Sequence, residues 1–389
     1  MHFTERMDRL GTETAFTAAA RARALEATGR DVIHLEVGEP DFDTPPNVRA
    51  AAARAIEAGF THYGPAMGMP VLREAIAADA SARKGFPVEP SQVVVTPGGK
   101  PVMSYAITAL IGSGDEAIIP DPGFPIYASM TRFVGGTPVS LPIRQADGFG
   151  FDTERLAALI TPRTRLIVLN SPANPTGGVL TRAEIERVAE LAIVNDLAVL
   201  TDEIYGRIVY EGEHISIASL PGMAERTIVL DGFSKAYAMT GWRLGFGIVP
   251  PAAVDVFERL VINSVSCVST FSQIAAAEAL TGPQDSVDAM VREFRARRDL
   301  IVDGLNAIPG IRCLRPSGAF YVFPDVSSTG MTGGEFAERA LTEAGVSVLG
   351  GTAFGDEGRD HVRMSYANSQ PRIAEALERL RSVAAAVHA

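Results

Sequence analysis

The chain of 389 residues is poor in cysteine, with Cys267 and Cys313 alone, and has a single tryptophan. Two thiols cannot build a disulfide framework or a structural zinc site, so the sequence predicts buried thiols in a reducing compartment. An excess of positive charge is also missing. Lys and Arg number 35 against 46 Asp and Glu, a formal charge of −11. That balance argues against nucleic acid as the main partner, because phosphate backbones need a basic face. A small anionic ligand stays open, since a few local cations are enough to hold one. Long apolar runs are absent too. The N-terminus, Met1-His2-Phe3-Thr4-Glu5-Arg6, lacks the apolar core of a secretory signal. The uncharged run from Val261 to Ala277 is broken by Ser264, Ser266, Ser269 and Ser272, too polar to span a membrane. The expected location is cytoplasmic.

What is present reads as globular: 47% hydrophobic and 21% charged residues. The length predicts two domains rather than one core. Residues 46–285 are expected to form the larger domain, with 1–45 and 286–389 forming the smaller. No internal repeat and no low-complexity tail is visible.

The larger part alternates strands and helices. Strands are predicted at Gln92 to Thr96, Glu116 to Pro120, Val139 to Leu141, Arg165 to Asn170, Leu197 to Thr201, Thr227 to Leu230 and Leu244 to Val249. Helices are predicted at Val48 to Ala58, Val71 to Lys84, Val102 to Ile111, Phe124 to Phe133 and Thr181 to Asn195. Thr181 and Glu184 make a capping box at the start of the last of these. Continuous apolar strands between helices mean an α/β fold with a mostly parallel sheet covered on both faces. An earlier helix is expected from Glu13 to Arg30, and an alternating strand from Val32 to Val37. The C-terminal part reads as α+β. It has a long helix from Ser286 to Ala307, helices at Gly334 to Ala344 and Arg372 to Ala386, and short strands near Ile311-Arg312-Cys313, Phe320 to Phe323, Val346 to Val348 and Val362 to Met364. Arg292, Arg295, Arg297 and Arg298 on the long helix read as a solvated face.

In such sheets a ligand binds beyond the carboxyl ends of the strands. That rule gathers Gly98-Gly99, Asn170 to Gly177, Asp202 to Tyr205 and Lys235. Lys235 stands among small and apolar residues in Asp231-Gly232-Phe233-Ser234-Lys235-Ala236, and Arg243 follows eight positions later. Poor solvation lowers an amine's pKa, and a neutral amine attacks carbonyls. Arginine is always charged and suits phosphate. The pair suggests pyridoxal phosphate, although a loop lysine beside a surface arginine fits these residues equally well. A G-x-S-x-G nucleophile elbow fails at Ala236.

That cofactor has further needs. Its phosphate needs N–H groups and a cation, supplied by Gly99, Lys100 and Arg243 where a strand, a glycine turn and a helix start meet. Pro101 is expected at the first helical position. Taken singly, Pro97-Gly98-Gly99-Lys100 is better read as a tight turn, being neither a Walker A loop nor G-x-G-x-x-G. The ring nitrogen needs a carboxylate, for which Asp202 is the candidate. The phenolic oxygen needs donors, Asn174 and Tyr205. Phe124 offers a flat neighbour for the ring. A substrate carboxylate needs a fork of donors, which Arg363 has. Gly38 would let a ligand approach the backbone. Each also has a plain structural reading, as a cap, a turn, core or a surface residue.

Together these stretches resemble the class I/II, aspartate aminotransferase-like family of fold-type I pyridoxal phosphate enzymes. The resemblance is carried by Val37-Gly38-Glu39-Pro40-Asp41-Phe42, Tyr63, Gly98-Gly99-Lys100, Asn174-Pro175-Thr176-Gly177, Asp202-Glu203-Ile204-Tyr205, Ser234-Lys235 with Met239-Thr240-Gly241-Trp242-Arg243, Pro316-Ser317-Gly318-Ala319-Phe320-Tyr321 and Arg363-Met364-Ser365-Tyr366-Ala367. They run in family order over nearly the whole chain. The resemblance implies Lys235 as the lysine joined to the cofactor aldehyde and Asp202 as partner of the ring nitrogen. It implies Asn174 and Tyr205 at the phenolic oxygen, Phe124 on the ring, and Gly98, Gly99, Lys100 and Arg243 around the phosphate. Tyr63 of a neighbouring subunit would help there, in a homodimer. Arg363 would take the substrate carboxylate and Gly38 would line its pocket. The stretch Thr12 to Phe16 would reach the pocket, where Phe16 suits an apolar side chain and Glu13 a basic one. One position departs: many relatives have a phosphate-binding serine where this chain has Gly232. The implied reaction has two halves. A donor amino acid displaces Lys235, which then moves the Cα proton to the cofactor; an acceptor 2-oxo acid runs the steps backwards. The same motifs also suit a Cβ–S lyase, a decarboxylase or an oxidase using the same cofactor. A regulatory domain sensing the cofactor is not the expected reading, since it usually needs an attached DNA-binding module and only about 45 residues precede the larger domain.

Overall fold

The computed structural model describes residues 1–385. Its strands are β1 (Ile33–His34), β2 (Val93–Thr96), β3 (Glu116–Asp121), β4 (Thr137–Pro142), β5 (Thr164–Asn170), β6 (Ala198–Asp202), β7 (Thr227–Gly232), β8 (Gly245–Ile248), β9 (Tyr321–Val322), β10 (Val346–Ser347), β11 (Leu349–Gly350) and β12 (Val362–Ser365). Its α-helices are α1 (Thr14–Glu26), α2 (Pro46–Glu57), α3 (Pro70–Lys84), α4 (Lys100–Leu110), α5 (Ile126–Phe133), α6 (Thr153–Leu159), α7 (Arg182–Val194), α8 (Val254–Ser264), α9 (Thr270–Thr281), α10 (Asp285–Asn306), α11 (Gly333–Thr342) and α12 (Gln370–Ala385). The expected helix end at Ala386 lies outside the described residues. No described helix is long and apolar enough to cross a membrane.

Seven strands form one sheet in the order β2-β8-β7-β6-β5-β3-β4. The pairs β3–β4, β3–β5, β5–β6 and β6–β7 are parallel, while β8 runs antiparallel to both its neighbours. The reversal has a local cause. Residues 233–244 join β7 to β8 without an α-helix, so no crossover returns the chain to a parallel start. Lys235 and Arg243, at the two ends of that connection, therefore stay at the carboxyl edge of the parallel strands.

Period-two alternation divides the strand side chains between two layers. Ala117, Ile119, Leu166, Val168 and Leu200 pack in one cluster with Val102, Ala106 and Ile107 of α4 and Phe257 of α8. Ile118, Ile167, Leu169 and Val199 pack in another with Ile185 and Val188 of α7. Both faces are thus buried, which explains the unbroken apolar runs. A separate core joins α10, α12, β9 and β12 through Phe294, Leu380, Val322 and Met364, and reaches Ile33 and Leu35 of the N-terminal segment.

Several expectations change. The N-terminal strand is two residues long: it pairs only with the two residues of β10, after which the Leu35 carbonyl turns to the Ser365 N–H of β12 and the Glu36 carbonyl to the Arg363 guanidinium. Helix α4 begins at Lys100, so Pro101 is its second residue. Helix α5 begins at Ile126, which leaves Phe124 in the loop before it. Near Ile311 to Cys313 only a bridge, Arg312 to Asp325, forms. The arginines of α10 are not all solvated: Arg297 and Arg298 are buried. Arg297 lies over the Phe42 ring at 4.9 Å and pairs with Asp41 and Glu293. A planar guanidinium stacks on aromatic faces, so charge alone does not mark a wet surface. Cys313 is buried, but Cys267 is only half-buried.

Candidate active site

Lys235 sits in the loop after β7, and its Nζ donates to the Gly38 carbonyl at 2.5 Å. The rings of Phe320 and Tyr205 lie 5.9 and 6.0 Å away. Burial, with the Arg363 charge adding to it, pulls the amine down to about 8. It is thus ready to become a neutral nucleophile or base near neutrality.

Asp202 ends β6, and its carboxylate is held by two donors. Tyr127 Oη donates to Oδ2 at 2.7 Å and the Ile204 N–H to Oδ1 at 3.2 Å. Burial, outweighing these donors, raises the carboxyl to about 6. A carboxylate held this way prefers a cationic partner. Tyr127 was not expected here. It lies three residues after Phe124, in the first turn of α5, and that nearness in sequence was the only available sign.

Asn174 and Tyr205 stand on neighbouring loops. The Asn174 N–H donates to Asn170 Oδ1 at 2.8 Å, and its own Oδ1 accepts from Arg363 Nη1 at 3.3 Å. The Tyr205 and Tyr321 hydroxyls are 2.7 Å apart. Burial raises the Tyr205 phenol well above its usual range, so it stays a donor. Tyr321 was likewise unassigned, and it explains Gly38. A Cβ there would lie 2.0 Å from Tyr321 Oη, so this glycine is required for close packing rather than for an unusual φ.

Arg363, on β12, is buried between the Tyr321 and Phe354 rings, 4.7 and 4.9 Å from their centroids. One terminal nitrogen donates to the Glu36 carbonyl, while Nε is buried with no partner. A buried N–H without an acceptor is costly and points to a ligand that supplies one.

The anion cradle is equally specific. Gly98 has φ +87°, and a Cβ on it would lie 2.4 Å from Arg243 Nη2. A Cβ on Gly245 would meet the Gly98 carbonyl carbon at 2.6 Å. No side chain caps the N-terminus of α4, and Arg243 Nη2 lies against the Gly98 backbone that leads into it. Gly232 is also explained by packing. A Cβ there would crowd Gly245 Cα at 3.0 Å and Ile204 Cδ1 at 3.1 Å. The backbone cradle, the buried carboxylate and the buried amine fit pyridoxal phosphate.

Three expected residues stand further out. Tyr63 is 92% exposed on the single chain. Phe16 is 64% exposed, and the Lys100 ammonium lies 5.8 Å from its ring and 5.8 Å from that of Phe124. Glu13 forms an ion pair with Lys100. Among the described residues no cluster of His, Cys, Asp and Glu could hold a metal ion.

A sheet of this order, with a buried amine, a buried carboxylate and an anion cradle at its carboxyl edge, defines an α/β enzyme built for amino-group chemistry. Residues 30–380 match the family described as aminotransferase class I and II, and the chain belongs to that family. It is 40% identical to the arginine–pyruvate transaminase of Pseudomonas aeruginosa, over 98% of this chain and 97% of that one. It is also 40% identical to an aspartate aminotransferase of Pyrococcus abyssi, over 92% of this chain and 93% of that one. The aspartate aminotransferase of Thermus thermophilus with maleate superposes with a TM-score of 0.95 at 39% identity, covering 98% of this chain and all of that one. The protein is an aminotransferase of fold type I, moving an amino group between an amino acid and a 2-oxo acid. The family uses pyridoxal phosphate.

Proposed function

We propose that this chain carries out its amino transfer on a pyridoxal phosphate joined to Lys235. Cofactor binding would fall to Gly98, Gly99, Lys100, Arg243, Phe124, Asn174, Asp202 and Tyr205, and substrate binding to Arg363, Asn174, Gly38 and Phe16. When bound, the cofactor supplies an electron sink for the bonds at the substrate Cα. Arg363 orients the substrate through its carboxylate, a paired contact that fixes direction as well as position. Lys235 Nζ takes and returns the Cα proton, which suits an amine poised at about 8. Asp202, as an anion, would keep a proton on the ring nitrogen. Tyr205 donates from a phenol that burial keeps protonated.

The 92% exposure of Tyr63 supports a homodimer in which a second copy brings this hydroxyl to the phosphate. Residues 46–285 would form the cofactor-binding domain, with 1–45 and 286–389 closing over it, and the protein would work in the cytoplasm. The observation that carries the reading is one place in the fold. Lys235, Asp202 and an Arg363 with an unpartnered Nε all lie around Tyr205, though distant in sequence.

The test is direct. Purified protein should be yellow, and borohydride should fix the cofactor on Lys235. Adding an amino acid should yield the 2-oxo acid and the pyridoxamine form. Lys235→Ala should lose at least about 10²–10⁴-fold in rate, the ordinary worth of a positioned base. A colourless protein, or pyruvate with ammonia instead of transfer, would refute the reading.

A further inference from the structure

Behind Asp202 lies a buried charge cluster that the reading above does not use. Lys84 is the last residue of α3, which stops at Gly85 with φ +77°. Its side chain is almost wholly buried, and its ammonium lies 2.7 Å from Glu203 Oε2 and 2.8 Å from Asp231 Oδ2. Glu203 directly follows Asp202 and is fully buried; it also accepts from Ser216 Oγ at 2.6 Å and faces His214 Nε2 at 3.0 Å. Asp231 belongs to the adjacent strand β7, where its Oδ1 accepts the Gly232 N–H at 2.7 Å. Outside these, Arg83 lies 3.9 Å from Asp231, and Asp79 holds Arg83 and Arg207.

The neighbouring ends of β6 and β7 thus carry Asp202, Glu203 and Asp231, three buried acids. Like charges this close resist joint ionisation. Glu203 and Asp231 share the Lys84 ammonium, whereas Asp202 has only the Tyr127 hydroxyl of α5 and the Ile204 N–H. The other titratable groups whose fields couple to Asp202 are Tyr205 and Tyr321. Burial raises the Asp202 carboxyl, and Asp231 and Glu203 add to the rise.

We propose that Lys84 is a positioning residue for Asp202: by neutralising Glu203 and Asp231 it keeps the Asp202 carboxylate ionised for the cofactor ring nitrogen. The inference rests on the reading of Asp202 given under Proposed function. Lys84 touches neither substrate nor cofactor and acts through charge alone. Removing it takes away the one ammonium shared by Glu203 and Asp231, leaving Glu203 to His214 and Asp231 to Arg83 at 3.9 Å; the site becomes more negative by one charge, which favours a proton on Asp202. Removing the Asp231 charge does the opposite.

Retention of pyridoxal phosphate by the holoenzyme, measured by absorbance after equilibrium dialysis from pH 5 to 8, tests this. Wild-type retention should fall as pH drops through about 6, because Asp202 takes up its proton there. In Lys84→Met the midpoint should move up by about one pH unit. In Asp231→Asn, which keeps an oxygen for the Gly232 N–H, it should move down. Both variants break the same buried bridge, so a cluster serving stability alone would lower thermal stability in both and leave the two midpoints together. Shifts in the same direction, or none, would overturn the inference. Should Lys84→Met not fold, Asp231→Asn decides alone: a downward shift supports it and an unmoved midpoint overturns it. A wild-type protein that holds no cofactor at any pH would instead sink the underlying reading, and this inference with it.

Discussion

Gly38→Ala adds a single methyl group and should still cost much of the activity. The new Cβ would stand 2.0 Å from Tyr321 Oη, 2.9 Å from Cζ and 3.1 Å from Cε1. Tyr321 has nowhere to go. It is 1% exposed, its hydroxyl meets Tyr205 at 2.7 Å, and its ring lies 4.7 Å from the Arg363 guanidinium. Overpacking a dense core costs about 1–3 kcal/mol. Losing the Tyr205–Tyr321 hydrogen bond adds about 0.5–1.5 kcal/mol. The sum is about 1.5–4.5 kcal/mol. If it all falls on the reacting geometry, the amino-acid half-reaction slows about 10- to 2000-fold. Single-turnover absorbance changes with an amino acid would measure this, alongside the thermal midpoint. Tyr321→Phe supplies the control. It removes the oxygen at 2.0 Å and leaves the ring carbon at 2.9 Å, so Gly38→Ala with Tyr321→Phe should recover part of the loss, with a coupling of about 1 kcal/mol or more. A Gly38→Ala enzyme within threefold of wild type, or strictly additive variants, would refute the packing argument.

Two further predictions concern the buried cations. Arg363→Lys removes the fork and the unpartnered Nε; the amino-acid KM should rise at least about tenfold, the scale of one charge-assisted hydrogen bond. An unchanged KM would move the carboxylate site elsewhere. Lys235 is depressed to about 8, so its reactive neutral form grows as pH rises and saturates above that value. The rate at which cofactor-free protein reacts with pyridoxal phosphate should rise about tenfold per pH unit below 8 and then flatten. A rise continuing to pH 10 would mean an ordinary, solvated lysine.

Much of the architecture was legible before any coordinates. Leu166-Ile167-Val168-Leu169 announced a strand buried on both faces, and Thr181 with Glu184 announced the start of α7, where the capping box is present. Both signals are local: one is a run of side chains and the other a three-residue reach. Boundaries set by tertiary partners were not legible. The strand expected over Val32 to Val37 shrank to Ile33–His34 because its partner β10, far along the chain, is itself two residues long and the Leu35 and Glu36 carbonyls turn to Ser365 and Arg363. Arg297 and Arg298 read as solvated because a sequence shows charge but not the Phe42 and Tyr210 rings beneath them.

The sequence by itself determined the residue types at the sheet edge: an amine at 235, an acid at 202, guanidinium groups at 243 and 363, and glycines where the backbone must come close. Strand ends collect such residues whatever packs around them. Only the tertiary structure decided what each one meets. It set Tyr127 against Asp202, Tyr321 against Gly38, and Lys84 between Glu203 and Asp231. Those partners come from distant segments, and the low polarity that makes their charges matter exists only once the chain has closed around them.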